Sequence, residues 1–269
     1  ATFTIRTSYS TLKFERDKIA KIVIEGAEKN VDVLNLSNGD KLWEYYNAAG
    51  STDDRQYMNF GIPASPTAVD LNNDGFPDVL VLRGAWMRSE GRFPKSLLRN
   101  RGDGTFDDVP EAAGMLSFHP SQTAAWFDYN GDGWLDLFVG NESVGPDVHP
   151  CELYRNNGDG TFTECAASLG VAFTGFVKGV ASGDFNNDGR PDLYLSRLLG
   201  PNVLYRNDGP AGPETGPTAP WRFTDVAQSA GVTAPINSFP CWFFDYDNDG
   251  WEDIFVAGYY IHDVGDVAA

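Results

Sequence analysis

VDLNNDGFPDVLVL, residues 69–82, places three aspartates, two asparagines and a glycine in one turn and then runs straight into aliphatic residues. Crowding like charge against a strand that must be buried is costly unless something offsets it. The stretch recurs. DLNNDGFPD starts at Asp70, DYNGDGWLD at Asp128, DFNNDGRPD at Asp184 and DYDNDGWED at Asp245, so the first aspartates stand 58, 56 and 61 residues apart.

A second motif alternates with the first: LLRNRGDGTFDDV from Leu97, ELYRNNGDGTFTEC from Glu152, and VLYRNDG with WRFTDV from Val203. Each copy leads into a small-residue stretch ending in glycine (PEAAG, AASLG, AQSAG). Self-similarity at a fixed period implies stacked or radial units. Short apolar runs flank the acidic turn, and two more meet across an Asn-Gly or Asp-Gly turn, the signal of a tight hairpin. Four strands per unit predict an all-β fold, a β-propeller of four-stranded antiparallel blades with an acidic loop in most blades. No helical stripe of useful length competes with this reading. The chain reads as a single propeller or propeller segment over 1–269, with repeats at about 1–58, 59–115, 116–172, 173–232 and 233–269. The first is degenerate: VLNLSNGDKLWEYYNAAG from Val33 overlays the hairpin motif, but the stretch with Glu15 and Asp17 lacks the Asp-Gly core. The last is incomplete, because few residues follow DIFVAGYY. The outer-strand look of ATFTI at the N-terminus leaves two readings: it completes the final blade, or the chain is a segment of a larger propeller, the reading preferred here.

The acidic turns predict metal. Oxygen-bearing side chains at loop positions 1, 3, 5 and 9, a glycine at 6 and a backbone carbonyl at 7 follow the logic of the EF-hand loop. A closing Asp at position 9, directly before a strand, replaces the EF-hand's Glu at 12. The ligand sets are Asp70, Asn72, Asp74, Phe76 and Asp78; Asp128, Asn130, Asp132, Trp134 and Asp136; Asp184, Asn186, Asp188, Arg190 and Asp192; and Asp245, Asp247, Asp249, Trp251 and Asp253, the fourth residue of each set acting through its carbonyl. Hard oxygen donors without His or Cys suit Ca²⁺, about four ions in all, while Mg²⁺ demands tighter octahedral geometry. The competing reading is a plain Asx turn; four copies with the same positional chemistry favour metal. The fourth set, with Asp247 at position 3, carries the most ligand charge.

Composition narrows the function. With 38 Asp plus Glu against 20 Lys plus Arg, the net charge is −18, which argues against nucleic acid and anionic membrane surfaces as partners. Thirteen of those acids are aspartates of the four loops, and four Ca²⁺ would bring the charge to −10. No run of about 18 apolar residues suggests insertion into a membrane.

These residues resemble the FG-GAP/VCBS repeat family, which includes the integrin α-subunit propeller and the cartilage acidic protein group with its UnbV-associated bacterial relatives. FDYNGDGWLDLFVGN and LYRNNGDGTFTECAASLGV are most similar to the latter group, and the likeness spans residues 66–258. It implies a calcium-stabilised propeller outside the cytoplasm: extracellular, at the cell surface or periplasmic. Phe60-Gly61 stands without a Gly-Ala-Pro, so integrin-like ligand binding is not implied.

Other features have plain explanations. Arg101-Gly102-Asp103 spells RGD, but the next repeat reads Asn157-Gly158-Asp159 at the same turn. Cys151 and Cys165 average to position 158, so a cross-strand disulfide and two free thiols stand equal; Cys241 reads as a small core residue. His119, His149 and His262 read as loop residues. Trp126, Phe127, Trp134, Phe243, Phe244 and Trp251 read as packing between blades rather than a sugar platform. Asn35-Leu36-Ser37 and Asn141-Glu142-Ser143 are glycosylation sequons, and 209–220 (GPAGPETGPTAP) reads as a variable contact loop. The leading expectation is an extracellular calcium-binding module for adhesion, protein interaction or structure. Its partner would be a protein or glycan, or a neighbouring copy that completes the last blade. The alternative is a propeller domain of a larger secreted hydrolase or lyase, for which no GxSxG, HExxH or His/Cys pair speaks.

Overall fold

The computed structural model describes residues 67–212 and 220–258, together with the backbone of five N-terminal strands. The fold is all-β, built from four-stranded antiparallel blades of the propeller type. The chain divides into two compact units, 1–118 and 119–269.

In the first unit, β1 (Phe3–Arg6) pairs with β2 (Thr11–Phe14), and β3 (Val23–Gly26), β4 (Val31–Asn35) and β5 (Lys41–Tyr46) form a three-stranded sheet. The N-terminal strand β1 pairs antiparallel with its neighbour in sequence, Phe3 opposite Phe14. β4 and β5 pair antiparallel with Asn35 opposite Lys41, and the SNGD stretch between them lies outside the described residues. Glu15 and Asp17 lie outside the described residues. β6 (Thr67–Val69), β7 (Asp78–Val81), β8 (Ser96–Asn100) and β9 (Phe106–Asp108) form the first four-stranded blade, in that order.

The second unit repeats this plan. β10 (Ser121–Phe127), β11 (Asp136–Asn141), β12 (Glu152–Asn156) and β13 (Phe162–Glu164) make one blade. β14 (Phe176–Gly183), β15 (Asp192–Leu198), β16 (Val203–Pro210) and β17 (Trp221–Asp225) make the next. β18 (Ser238–Phe244) and β19 (Asp253–Gly258) pair alone among the described residues. In this unit each small-residue stretch after the fourth strand becomes a one-turn helix, α1 (Ala166–Leu169) or α2 (Ala227–Ala230), ended by a glycine at φ +81° (Gly170) or +74° (Gly231).

Within this unit the first strand of each sheet packs against the first strand of the next, β10 on β14 and β14 on β18. Small residues allow that approach. A Cβ on Gly179 would lie 2.4 Å from the Phe239 carbonyl oxygen, and one on Gly140 would lie 2.7 Å from Val177 Cγ1. The core is the seam between blades. Phe127, Tyr129, Phe138, Leu153, Leu169 and Val171 of one blade meet Val177, Leu193, Leu195, Val203, Tyr205 and Phe223 of the next. A buried ion pair crosses the same seam: Lys178 of β14 donates to Glu142, just past β11, their side chains 0% and 2% exposed. The Lys178 ammonium also sits 4.0 Å from the centre of the Phe176 ring.

Candidate metal centres

All four acidic turns join the first strand of a sheet to the second and share one backbone path. Position 6 is a glycine at φ +83° to +88° (Gly75, Gly133, Gly189, Gly250). Position 4 also lies in the left-handed region, at Asn73 (φ +57°), Gly131 (+69°), Asn187 (+52°) and Asn248 (+61°). Only glycine and the short amides enter that region cheaply, which accounts for N, G, N and N there. The residue types at position 4 carry this signal, although an alignment on the acids alone does not reveal it.

The path gathers the polar side chains. The position-1 carboxylates of Asp70, Asp128, Asp184 and Asp245 accept N–H bonds from position 5 at 3.0–3.1 Å and from position 6 at 2.7–2.9 Å. The position-5 carboxylates of Asp74, Asp132, Asp188 and Asp249 accept from the position-7 N–H of Phe76, Trp134, Arg190 and Trp251 at 2.8–3.0 Å. At position 3, the Asn72, Asn130 and Asn186 amides each bond the position-5 carboxylate at 2.9 Å. In the fourth turn Asp247 stands there, and Asp245, Asp247 and Asp253 bring carboxylate oxygens within 4.8 Å of one another. The third turn differs, since the Arg190 guanidinium bonds Asp188 and supplies a cation of its own.

The closing aspartate connects each turn to its blade. Its Oδ2 accepts the N–H of position 2 (Leu71, Tyr129, Phe185, Tyr246) at 3.1–3.3 Å. In the three complete blades its Oδ1 accepts a second N–H from the last residue of the LRN or YRN motif: Asn100 to Asp78 at 2.8 Å, Asn156 to Asp136 at 2.8 Å, and Asn207 to Asp192 at 2.7 Å. The same asparagines turn their amides to the carbonyls of Pro77, Leu135 and Pro191 and accept N–H bonds from Gly102, Gly158 and Gly209. Sequence reading missed their role; the signal was the Asn shared by all three hairpin motifs. Burial pushes the closing carboxyls up, Asp78 to about 6, Asp192 to about 7 and Asp136 to about 8, against the N–H donors that pull the other way. Aspartates at positions 1 and 5 add to the rise. A divalent cation among them would reverse that balance. The donor set is all oxygen, from carboxylates, Asn side-chain carbonyls and the position-7 backbone carbonyl, so the residues fit a hard ion.

Neighbouring turns of the second unit touch. Asp184 N–H donates to Glu252 Oε2 at 2.6 Å, Asn187 Nδ2 donates to the Gly250 carbonyl at 2.8 Å, and Asn207 Nδ2 donates to the Tyr129 carbonyl at 2.9 Å.

The remaining sequence features resolve as follows. RGD is a turn: Arg101 pairs with Asp107, and Asp103 Oδ1 accepts from Thr105 N–H at 2.8 Å and Oγ1 at 2.6 Å. Asp159 and Thr161 repeat that arrangement. Cys151, Cys165 and Cys241 are free thiols. The β12–β13 register pairs Tyr154 with Glu164, so the hairpin is centred on residue 159, not 158. Cys165 therefore bonds the Leu153 carbonyl, two residues past Cys151. His119 and His149 converge, Nδ1 to Nδ1 at 2.9 Å, whereas His262 lies outside the described residues. Phe127 and Phe243 pack in the seams, but Phe244 and Trp251 are exposed. Asn141 is 0% exposed, so the folded chain hides that sequon; the side chain of Asn35 and most of 209–220 lie outside the described residues. Among the described residues no helix is long and apolar enough to cross a membrane.

Comparison with known proteins places these turns in context. A model of the FG-GAP-like repeat matches residues 85–139 and 128–195. Cartilage acidic protein 1 of Mus musculus is 30% identical over 235 residues, 82% of this chain and 34% of that protein. The Homo sapiens protein of the same name is 30% identical over 164 residues, 60% of this chain and 23% of its own length. The chain thus spans about a third or less of these relatives. Among solved structures, the C-terminal domain of Pseudomonas aeruginosa PilY1 overlaps 76% of this chain and 44% of its own, at 18% identity and TM-score 0.40. Residues 85–195 of this chain accordingly match the FG-GAP-like repeat, and the chain is similar to cartilage acidic protein 1 over the stretch the two share.

Proposed function

We propose that the chain is an extracellular calcium-binding interaction module, its blades stiffened by one ion in each acidic turn. The observation that carries this reading is the fourth turn, where three carboxylates offer oxygens within 4.8 Å of one another. Like charges held that close repel one another, and a divalent cation among them would relieve that repulsion. The other three turns share its backbone and bury their closing acids. Each ion would be held by the side chains at positions 1, 3, 5 and 9 and the carbonyl at 7. It would supply charge neutralisation and rigidity, and no chemical step. The net charge of −18 and the kinship with cartilage acidic protein 1 support a role among proteins or glycans outside the cell.

Calorimetric titration of chelator-stripped protein with Ca²⁺, paired with thermal melts, tests this. The expected result is binding of about four ions and a melting temperature that rises with free Ca²⁺ as mass action requires. A flat titration with an unchanged melt would sink the proposal.

A further inference from the structure

One position recurs in each complete blade, five residues past the closing acid: Arg83, Asn141 and Arg197. In the first two blades the head of the third strand holds its side chain. Arg83 donates from Nη1 to the Pro94 carbonyl at 2.7 Å and to Ser96 Oγ at 2.8 Å. Asn141 donates from Nδ2 to the Pro150 carbonyl at 2.6 Å and to Glu152 Oε2 at 3.0 Å. Ser96, Glu152 and Val203 share one register, opposite Val81, Val139 and Leu195. The third blade thus carries a valine where the second carries a carboxylate, and Arg197 has no such partner.

The Arg197 guanidinium lies instead across two glycines and a ring. A Cβ on Gly200 would collide with Nη2 and Cζ, a Cβ on Gly175 would stand 2.8 Å from Nη1, and Cζ is 5.0 Å from the centre of the Phe173 ring. Arg197 is half-buried. Its Nε is buried, and among the described residues the guanidinium makes no hydrogen bond and no ion pair. Burial pulls its pKa down, and no carboxylate pushes it back up. The other half-buried arginines of this unit, Arg155, Arg190 and Arg206, bond side-chain oxygens of Asn157, Asp188 and Asp208. A cation drawn partly out of water without a partner is costly. It is the more unusual here because the chain has 38 acidic residues and a net charge of −18.

We propose that Arg197 is the receptor for a carboxylate brought by a ligand, which binds the two Nη groups beside Phe173. The planar guanidinium fork matches a carboxylate through two parallel N–H···O bonds. The ligand's oxygens take the place that Glu152 fills beside Asn141 in the second blade. The site lies at the end of β15 away from the acidic turn and needs no ion there. It therefore goes beyond the calcium reading, and the failure of either leaves the other standing.

The test titrates the isotope-labelled full chain, in Ca²⁺ at constant ionic strength, and follows it by nuclear magnetic resonance. The probes are acetate and the blocked tripeptide acetyl-Gly-Glu-Gly-amide, with sulfate as the control anion. The Arg197 Nε–H signal and the Gly175 and Gly200 amide signals should shift saturably with both carboxylates, while the Nε–H signals of Arg155, Arg190 and Arg206 stay in place. Arg197→Lys keeps the charge but loses the fork, and should weaken binding of either probe about tenfold or more, read at the two glycine amides. Gly200→Ala keeps the arginine but crowds Nη2, and should weaken binding likewise; if that variant does not fold, the lysine variant decides. Tighter saturation by the tripeptide supports the proposal with an acidic protein side chain as the source, and tighter saturation by acetate supports it with a small free acid. No saturable shift, an equal shift with sulfate, or undiminished binding by Arg197→Lys would each overturn it.

Discussion

Replacing Lys178 by methionine should destabilise the chain by about 4 kcal/mol at neutral pH, at the middle of the range for a buried pair broken from one side. The Lys178 ammonium and the Glu142 carboxylate are 0% and 2% exposed and bond each other across the seam between two blades. Methionine keeps the length and the apolar contact with Phe176 but removes the cation. Breaking a buried pair from one side costs about 3–5 kcal/mol. A second route agrees: if the stranded Glu142 takes up a proton instead, shifting it from an ordinary pKa of about 4.3 costs about 3.7 kcal/mol at pH 7. The second route fixes the sign of a pH dependence. In the variant, Glu142 would bind a proton in the folded chain and not in the unfolded one above a pH of about 4.3. Its stability relative to wild type should therefore fall by about 1.4 kcal/mol per pH unit as pH rises above that value. The double variant Glu142→Gln/Lys178→Met removes both charges, should recover most of the loss, and should track wild type with pH. Equilibrium unfolding in denaturant, followed by tryptophan fluorescence in saturating Ca²⁺ between about pH 5 and 8, measures all three chains. A single-variant loss below about 1 kcal/mol, or a double variant as weak as the single, would refute the account.

Asn156→Ala keeps the N–H that reaches Asp136 but removes an amide bonded to the Leu135 carbonyl and the Gly158 N–H; denaturant unfolding should show a loss of about 1–3 kcal/mol. Gly179→Ala forces a Cβ to within 2.4 Å of the Phe239 carbonyl oxygen, so the blades must part; the melt should fall as expected for a loss of about 1–3 kcal/mol, and an unchanged melt would mean the seam is looser than described. Burial pushes the Cys165 and Cys241 thiols up to about 11. A disulfide-exchange reagent at neutral pH should therefore react slowly with the folded chain and release three thiols after denaturation, with the rate for folded protein climbing as pH nears 11.

The acidic turns and the hairpins between them were legible because each is a local pattern. Asp, Asn and Gly at fixed offsets determine a turn within nine residues, and the turn determines which runs pair. What escaped depends on groups distant in sequence. Asn156 meets Asp136 across 20 residues and Lys178 meets Glu142 across 36, and no local periodicity marks either partner. The hairpin register shows the limit at its finest: centring on residue 159 rather than 158 moves Cys165 opposite Leu153. Asn141 reads as a surface sequon because its triplet is polar. The sheet pairs it with Ser121 and buries it.

Two of the acidic turns are hydrogen-bonded to each other: Asp184 N–H donates to the Glu252 carboxylate, and the Asn187 amide donates to the Gly250 carbonyl. On the calcium reading, an ion in either turn freezes peptide groups that the other must also freeze, so the second ion meets a smaller entropic cost than the first. Their isotherm would then be steeper than that of independent sites. A modest drop in free Ca²⁺ would then empty the pair together, and two structural ions would also act as a threshold device for ambient calcium.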